Sequence, residues 1–212
     1  MIHLKIFEFN SFQENTYVLS DETKQCVIID PGCNNTKEKK ELTDFIEKEQ
    51  IIPKAIIITH GHVDHLLGCK FIHDKYKVPF YAHKDDIMLI ERAQELGSYF
   101  GVEVESPPTP DFFLTDSQKF TFGNSELLIS HVPGHSPGSI AIYNFEGNFV
   151  ITGDVLFRGS IGRTDLPGGD FDTLIESIKS KLLILPKEVI VYPGHGPRTS
   201  IGYEIDTNPF LS

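Results

Sequence analysis

The feature that most restricts this chain is the run Thr59–His65, THGHVDH, which puts His60, His62, Asp64 and His65 within six residues directly after Ala55–Thr59. Neither a helix nor a regular strand can aim four such side chains at one point, because their periods of about 3.6 and 2 residues scatter them. A tight turn can, with Gly61 supplying backbone angles closed to other residues. Such a turn needs a rigid base. Ala55–Thr59 suits that role, since a short β-branched run without polar alternation reads as a strand buried on both faces.

Three further residues share this setting: His135 in VPGHSPG, Asp154 in ITGD and His195 in VYPGHG. Each follows a predicted strand and has glycine or proline beside it, as expected where a side chain is aimed from a sharp strand-end turn. Loops converging at one sheet edge would gather five histidines and two aspartates into a metal pocket. His3, His73 and His83 lack that setting and read as ordinary surface or core residues. Imidazole and carboxylate donors without thiolate suit zinc by default, or iron or manganese, and leave positions open for water.

The rest of the chain supplies the scaffold. Ile2–Phe9, Thr16–Leu19 and Cys26–Asp30 read as successive strands, with Asp30-Pro31-Gly32 as a stop, and Thr36–Gln50 as an amphipathic helix closed by Pro53. Helices at Leu66–Tyr76 and Lys84–Leu96 flank a strand at Val78–Ala82, and Ser106–Asp111 is a proline-rich connection. Strands follow near Lys119–Phe122, Glu126–Val132, Ser139–Tyr143 and Phe149–Thr152, then a helix at Phe171–Leu183, a strand at Glu188–Tyr192 and a short helix at Ile201–Asp206. Strands, helix, then a strand bearing a ligand occur twice. The expected class is α/β (α+β), two mixed sheets face to face with helices on both outer faces. With 212 residues and no long linker, one domain over 1–212 is expected.

Composition excludes several roles. A net charge of −11 disfavours nucleic acid as a partner. Cys26, Cys33 and Cys69 are odd in number and form no C-x-x-C pair, which fits a reducing cytoplasm. The strand-like N-terminus lacks the pattern of a signal peptide, and no apolar run approaches a membrane span. No feature of the sequence sets an oligomeric state.

The motifs HGHVDH, GHSPGS, TGD and PGHG resemble those of the metallo-β-lactamase superfamily, and the resemblance covers nearly the whole chain. It implies that family's four-layer αββα sandwich. It also implies two metal ions, one on His60, His62 and His135, the second on Asp64, His65 and His195, with Asp154 bridging. Leu156–Asp170, LFRGSIGRTDLPGGD, and the ending YPGHGPRTSIGYEIDTNPF are similar to the small glyoxalase II-like branch, which cleaves glutathione thioesters. The implied substrate is therefore a small-molecule thioester such as a 2-hydroxyacyl-glutathione, attacked by a metal-bridging hydroxide. Asp154 and Asp64 are the carboxylates implied in catalysis, with Asp64 either orienting the attacking water or serving only as a ligand.

Arg158 and Tyr192 border the predicted mouth, where they would meet an anionic substrate, although Tyr192 beside Pro193 also fits a packing role. Arg163 and Asp165 read first as a loop-stabilising ion pair. Two departures stand out: Leu67, where many relatives have glycine, and the absence of the helical C-terminal domain that grips glutathione, since only Gly196–Ser212 follow His195. Another thiol carrier is therefore an open alternative. No cysteine occupies a ligand turn like that of subclass B1 and B2 β-lactamases, which disfavours an antibiotic-degrading role. Two rivals share the metal motif: a persulfide dioxygenase with one iron on His60, His135 and Asp154, and a non-catalytic metal-binding protein.

Overall fold

The opening residues alternate toward two faces and pair accordingly. Strands β1 (His3–Phe9), β2 (Glu14–Ser20) and β3 (Gln25–Ile29) are antiparallel neighbours. Helix α1 (Thr36–Glu49) crosses back, so that β4 (Ile52–Ile57) runs parallel to β3, and β5 (Phe80–His83) and β6 (Phe112–Leu114) extend the parallel half. Asn35 starts α1 with a capping box, its side chain accepting from Lys37 and Glu38 N–H while Glu38 reaches back to Asn35.

The computed structural model describes residues 1–211. Its second six-stranded sheet contains β7 (Lys119–Phe122), β8 (Ser125–His131), β9 (Ile140–Asn144) and β10 (Phe149–Gly153), all antiparallel. A two-stranded hairpin, β11 (Leu156–Phe157) and β12 (Ser160–Ile161), stands beside it. Strand β13 (Ile190–Pro193) then joins β10 in parallel, and β14 (Thr199–Ser200) closes the edge.

The period-two alternation of the strands assigns the layers. In β3 and β4, Val27, Ile29, Ala55 and Ile57 meet Leu127, Ile129, Ile140, Ile142 and Ile151 of the second sheet. Their alternates Cys26, Ile28, Ile56 and Ile58 face Leu42 and Ile46 of α1 and Ile72 of α2 (Cys69–Tyr76). On the far side, Tyr143, Val150 and Val191 pack with Leu174 of α5 (Phe171–Ser177), and with Ile178 and Leu182. Helix, sheet, sheet, helix is the order of layers.

Several boundaries differ from the sequence reading. Pro53 lies inside β4, at a bulge where Cys26 pairs with Pro53 and Val27 with Ala55; its missing N–H is tolerated there. Helix α2 starts at Cys69 rather than Leu66, because Val63–His65 forms a 3-10 turn and the Gly68 N–H is taken by the Pro31 carbonyl. The helix expected over Lys84–Leu96 is a 3-10 turn, Lys84–Asp86, then α3 (Ile87–Glu91) and α4 (Ala93–Tyr99), broken at Arg92. Helix α5 passes into a π-turn at Ile178–Leu182, and α6 (Ile201–Thr207) ends the fold. Strands β6, β11, β12 and β14 are too short to carry a periodic signal. Among the described residues, no helix is long and apolar enough to cross a membrane.

Ile57 is fully buried between the sheets, whereas Ile52 of the same strand is 54% exposed. Ile57→Ala is expected to cost about 2–5 kcal/mol in chemical denaturation, and Ile52→Ala within about 0.5 kcal/mol of nothing. Equal effects would contradict the assignment of layers.

Candidate metal centre

The turn after β4 begins where the ladder hydrogen bonds stop. Thr59 donates from both its N–H and its Oγ1 to the buried Asp30 carboxylate, each at 2.6 Å, and its carbonyl accepts from Ile140 N at 2.8 Å. One residue thus ties β3, β4 and β9 together at the sheet end. The chain then turns through His60–His62 into the 3-10 turn Val63–His65.

One half of the centre is three imidazoles. His135 Nε2 lies 2.8 Å from His62 Nδ1 and 3.2 Å from His60 Nε2. The opposite ring nitrogens fix which lone pairs face inward. His135 Nδ1 donates to the Arg163 carbonyl at 2.8 Å, which leaves Nε2 unprotonated. Thr59 Oγ1 has spent its proton on Asp30, so at 3.1 Å it accepts from His60 Nδ1, and His60 Nε2 also faces in unprotonated.

The other half is Asp64, His65 and His195. His195 Nε2 is 3.0 Å from Asp64 Oδ2, and His65 Nε2 is 3.6 Å from the same oxygen. His195 Nδ1 donates to the Phe12 carbonyl at 3.0 Å. His65 Nδ1 is 3.0 Å from Asp30 Oδ2, at ion-pair distance but outside hydrogen-bond geometry. Asp154 stands between the halves, with Oδ2 3.7 Å from His135 and 3.5 Å from His195, and Oδ1 3.5 Å from His65. A side chain at Gly194 would collide with Asp154 Oδ1.

This donor set fits metal ions. Imidazole lone pairs that converge repel one another unless a cation lies between them. Nitrogens bound tetrahedrally at about 2.0–2.1 Å are roughly 3.3 Å apart, close to the spacing seen. His65 Nε2 and Asp154 Oδ1 are buried without a hydrogen-bond partner. Unsatisfied polar atoms are costly in an interior, and cations would satisfy these two.

A family model described as the metallo-beta-lactamase superfamily matches residues 10–195. The chain belongs to the metallo-beta-lactamase superfamily. It is 39% identical to the "Probable metallo-hydrolase YqgX" of Bacillus subtilis over 202 residues, covering 94% of this chain and 93% of that one. To the "Hydroxyacylglutathione hydrolase GloC" of Haemophilus influenzae it is 36% identical over 213 residues, covering 100% and 99%. Among solved structures, BLEG-1, a B3 metallo-beta-lactamase, superposes with a TM-score of 0.91 at 38% identity over 99% of this chain and 100% of that one. TTHA1623 in a di-iron-bound form gives 0.89 at 39%, over 98% and 100%. The chain is thus a metallo-hydrolase of this superfamily, and its two sheets and helices are the metallo-beta-lactamase fold.

Within this superfamily site the two halves differ electrostatically. Burial, then the neighbouring imidazoles, lower the basicity of His60, and the same causes push His62 down to about 3. Burial would lower His65 too, but Asp64, Asp30 and Asp154 around it outweigh burial and raise it. His195 is likewise raised, burial being outweighed by its bond to Asp64 and the charge of Asp154. Burial would raise both Asp64 and Asp154, yet the positive His65 beside them holds both carboxyls low. Solvent reaches both halves, with His195 25% exposed, Asp64 16% and His62 half-buried. Phe157, from the β11–β12 hairpin, has its ring 6.4 Å from that of His195.

The two residues proposed to meet substrate are engaged elsewhere. Arg158 is exposed and holds its guanidinium 5.1 Å over the Tyr203 ring of α6. Tyr192 packs edge-on against Tyr17 and Phe149 in the layer between the sheets, rather than standing free at the mouth. Arg163 and Asp165 form an exposed bidentate pair at 2.7 Å, so Arg163 serves the centre through its backbone carbonyl. His83 stacks flat on His131, rings 4.0 Å apart and 14° from parallel, near Asp85. Lone pairs on parallel rings do not converge, so this is a packing pair.

Sequence reasoning missed the groups that hold the ligands. Asp30 stands in the same strand-end, proline-flanked setting that singled out Asp154 and His195, and that signal could have found it. Glu14 is fully buried 4.0 Å from His65, and burial raises its carboxyl well above the usual range. Within a strand it carries no such signal.

Two outcomes are expected. Asp154→Ala should weaken metal binding by more than about 100-fold, beyond what loss of a ligand's indirect support costs, in chelator-competition titrations. Because ligating imidazoles must be neutral, cations must displace the protons that His65 and His195 hold below their raised pKa values. Metal affinity should therefore rise with pH above the ordinary histidine value, with protons released on binding, seen as buffer-dependent heats in calorimetry. Uptake without proton release would count against this charge distribution.

Proposed function

We propose that the chain hydrolyses acyl thioesters of the hydroxyacyl-glutathione class at a centre of two divalent cations, one held by His60, His62 and His135 and the other by Asp64, His65 and His195. The observation that carries this reading is the end-to-end likeness to a hydroxyacylglutathione hydrolase, combined with the convergence of all seven donors on one open-sided cluster. Zinc is the default for these donors, and the di-iron form of TTHA1623 supports iron as a second choice.

Two such cations would supply a deprotonated water near neutral pH and an electrophile for a carbonyl oxygen. The chain's own part is placement. Asp154 reaches both halves and keeps them in register. Asp64, itself part-exposed, can accept a hydrogen bond from the attacking water and orient it toward a thioester entering past Phe157. Attack forms the C–O bond and breaks the C–S bond, and a water proton leaves with the thiol.

A second reading, β-lactam hydrolysis, is favoured by the likeness to BLEG-1, since the lack of a cysteine ligand speaks only against cysteine-bearing sites. Steady-state assays of the metal-loaded protein separate the readings. The expected kcat/KM is about 10⁴ M⁻¹ s⁻¹ or more on S-D-lactoylglutathione or another acyl thioester, and far less on a chromogenic cephalosporin. The reverse order sinks the proposal. So does one iron per chain with oxygen consumption, which would point to the dioxygenase.

A further inference from the structure

Asp86 ends the 3-10 turn Lys84–Asp86 and is 1% exposed. It touches none of the cations' donors, yet its carboxylate joins two of the loops that carry them. Oδ2 accepts from Gly61 N and from Ser136 Oγ, both at 2.7 Å, and Oδ1 accepts from Gly138 N at 2.6 Å. Gly61 lies between His60 and His62, and Ser136 follows His135. Ser136 Oγ is also 2.7 Å from Ser139 Oγ, which accepts from Ser136 N at 3.1 Å, so the second loop is knotted onto the same carboxylate. A side chain at Gly138 would strike Asp86, so the loop meets the carboxylate through bare backbone.

The other half of the centre has separate supports. Asp30 lies against His65, Asn10 Nδ2 donates to the Asp64 carbonyl at 3.1 Å, and Phe12 accepts from His195. Asn15 Nδ2 donates to the Pro193 and Gly196 carbonyls on either side of His195. None of these reaches Asp86.

We infer that Asp86 is a positioning residue for one half of the centre only: it sets the spacing of His60 and His62 against His135, and hence the affinity of that position, while leaving the Asp64, His65 and His195 position intact. This rests on the two-cation reading above. Charge-assisted bonds from two loops to one buried carboxylate are strong and directional. Without them the imidazoles lose their fixed separation, although His60 and His135 keep the partners that set their tautomers, the Thr59 hydroxyl and the Arg163 carbonyl.

The test is stepwise metal binding by the full chain. Zn²⁺ is titrated against a competing chromogenic chelator, and the Co²⁺-loaded protein is examined for the shifted imidazole N–H protons of each half. Asp86→Asn keeps the size of the side chain but turns an N–H toward either Gly138 or Gly61. It is expected to weaken one of the two steps by about 10–100-fold and leave the other within a factor of about two, with loss of the His60 and His135 proton signals and retention of that of His195. Ser136→Ala removes one of the three bonds and should shift the same step in the same direction by less. It carries the test if Asp86→Asn does not fold. Equal weakening of both steps, no change in either, or loss of the His195 signal instead would overturn the role of Asp86 alone. A wild-type chain that takes up only one equivalent overturns the two-cation reading and this inference with it.

Discussion

Crowding of like groups is the constraint on which this structure depends. His135 Nε2 meets ring nitrogens of His62 and His60 at 2.8 and 3.2 Å, and two carboxylates, Asp64 and Asp154, stand close by. Left to themselves these side chains would rotate apart into water. They are held because each leaves a strand end whose backbone is already committed. Thr59 is bonded to Asp30 and β9, Asp154 follows β10 between two neighbouring strands, and His195 follows β13. The apolar layers on both faces of the sheets give that commitment its strength, so the hydrophobic core and the polar centre are parts of one device.

Much of this was legible in the sequence, for identifiable reasons. The seven side chains that converge stood out because aiming a side chain from a strand end calls for glycine or proline beside it. The layers were readable because β3 and β4 are apolar on both faces while β1 and β8 alternate. What escaped depends on contacts far apart in the chain. Asp86 looks no different from its neighbour Asp85 until the fold sets it against Gly61 and Gly138. Tyr192 and Arg158 lie near the motifs along the chain, but side-chain direction decides their roles: strand alternation turns Tyr192 into the inter-sheet layer, and Arg158 finds the Tyr203 ring.

The centre is uneven by construction. His60, His65 and His135 are buried, whereas His62, Asp64 and His195 are part-exposed. Without cations the carboxylates raise the basicity of His65 and His195, while burial and neighbouring imidazoles lower that of His60 and His62. Asp64 thus adds a carboxylate to one half only, while the three-imidazole half is shaped by hydrogen bonds among loops.

The bridge between Glu14 and His195 bears on how the protein forms. Asn15 and Phe12 bond to residues 178 to 183 positions later. Contacts of such separation close late, because the loop entropy must be met before they return anything. On a ribosome, a nascent chain can assemble the first sheet and the THGHVDH turn well before the PGHG turn has emerged. Until then Asp64 and His65 lack their third companion. The turn after β13 is then the piece that completes this half of the site, and a chain interrupted before it keeps six of the seven side chains without His195.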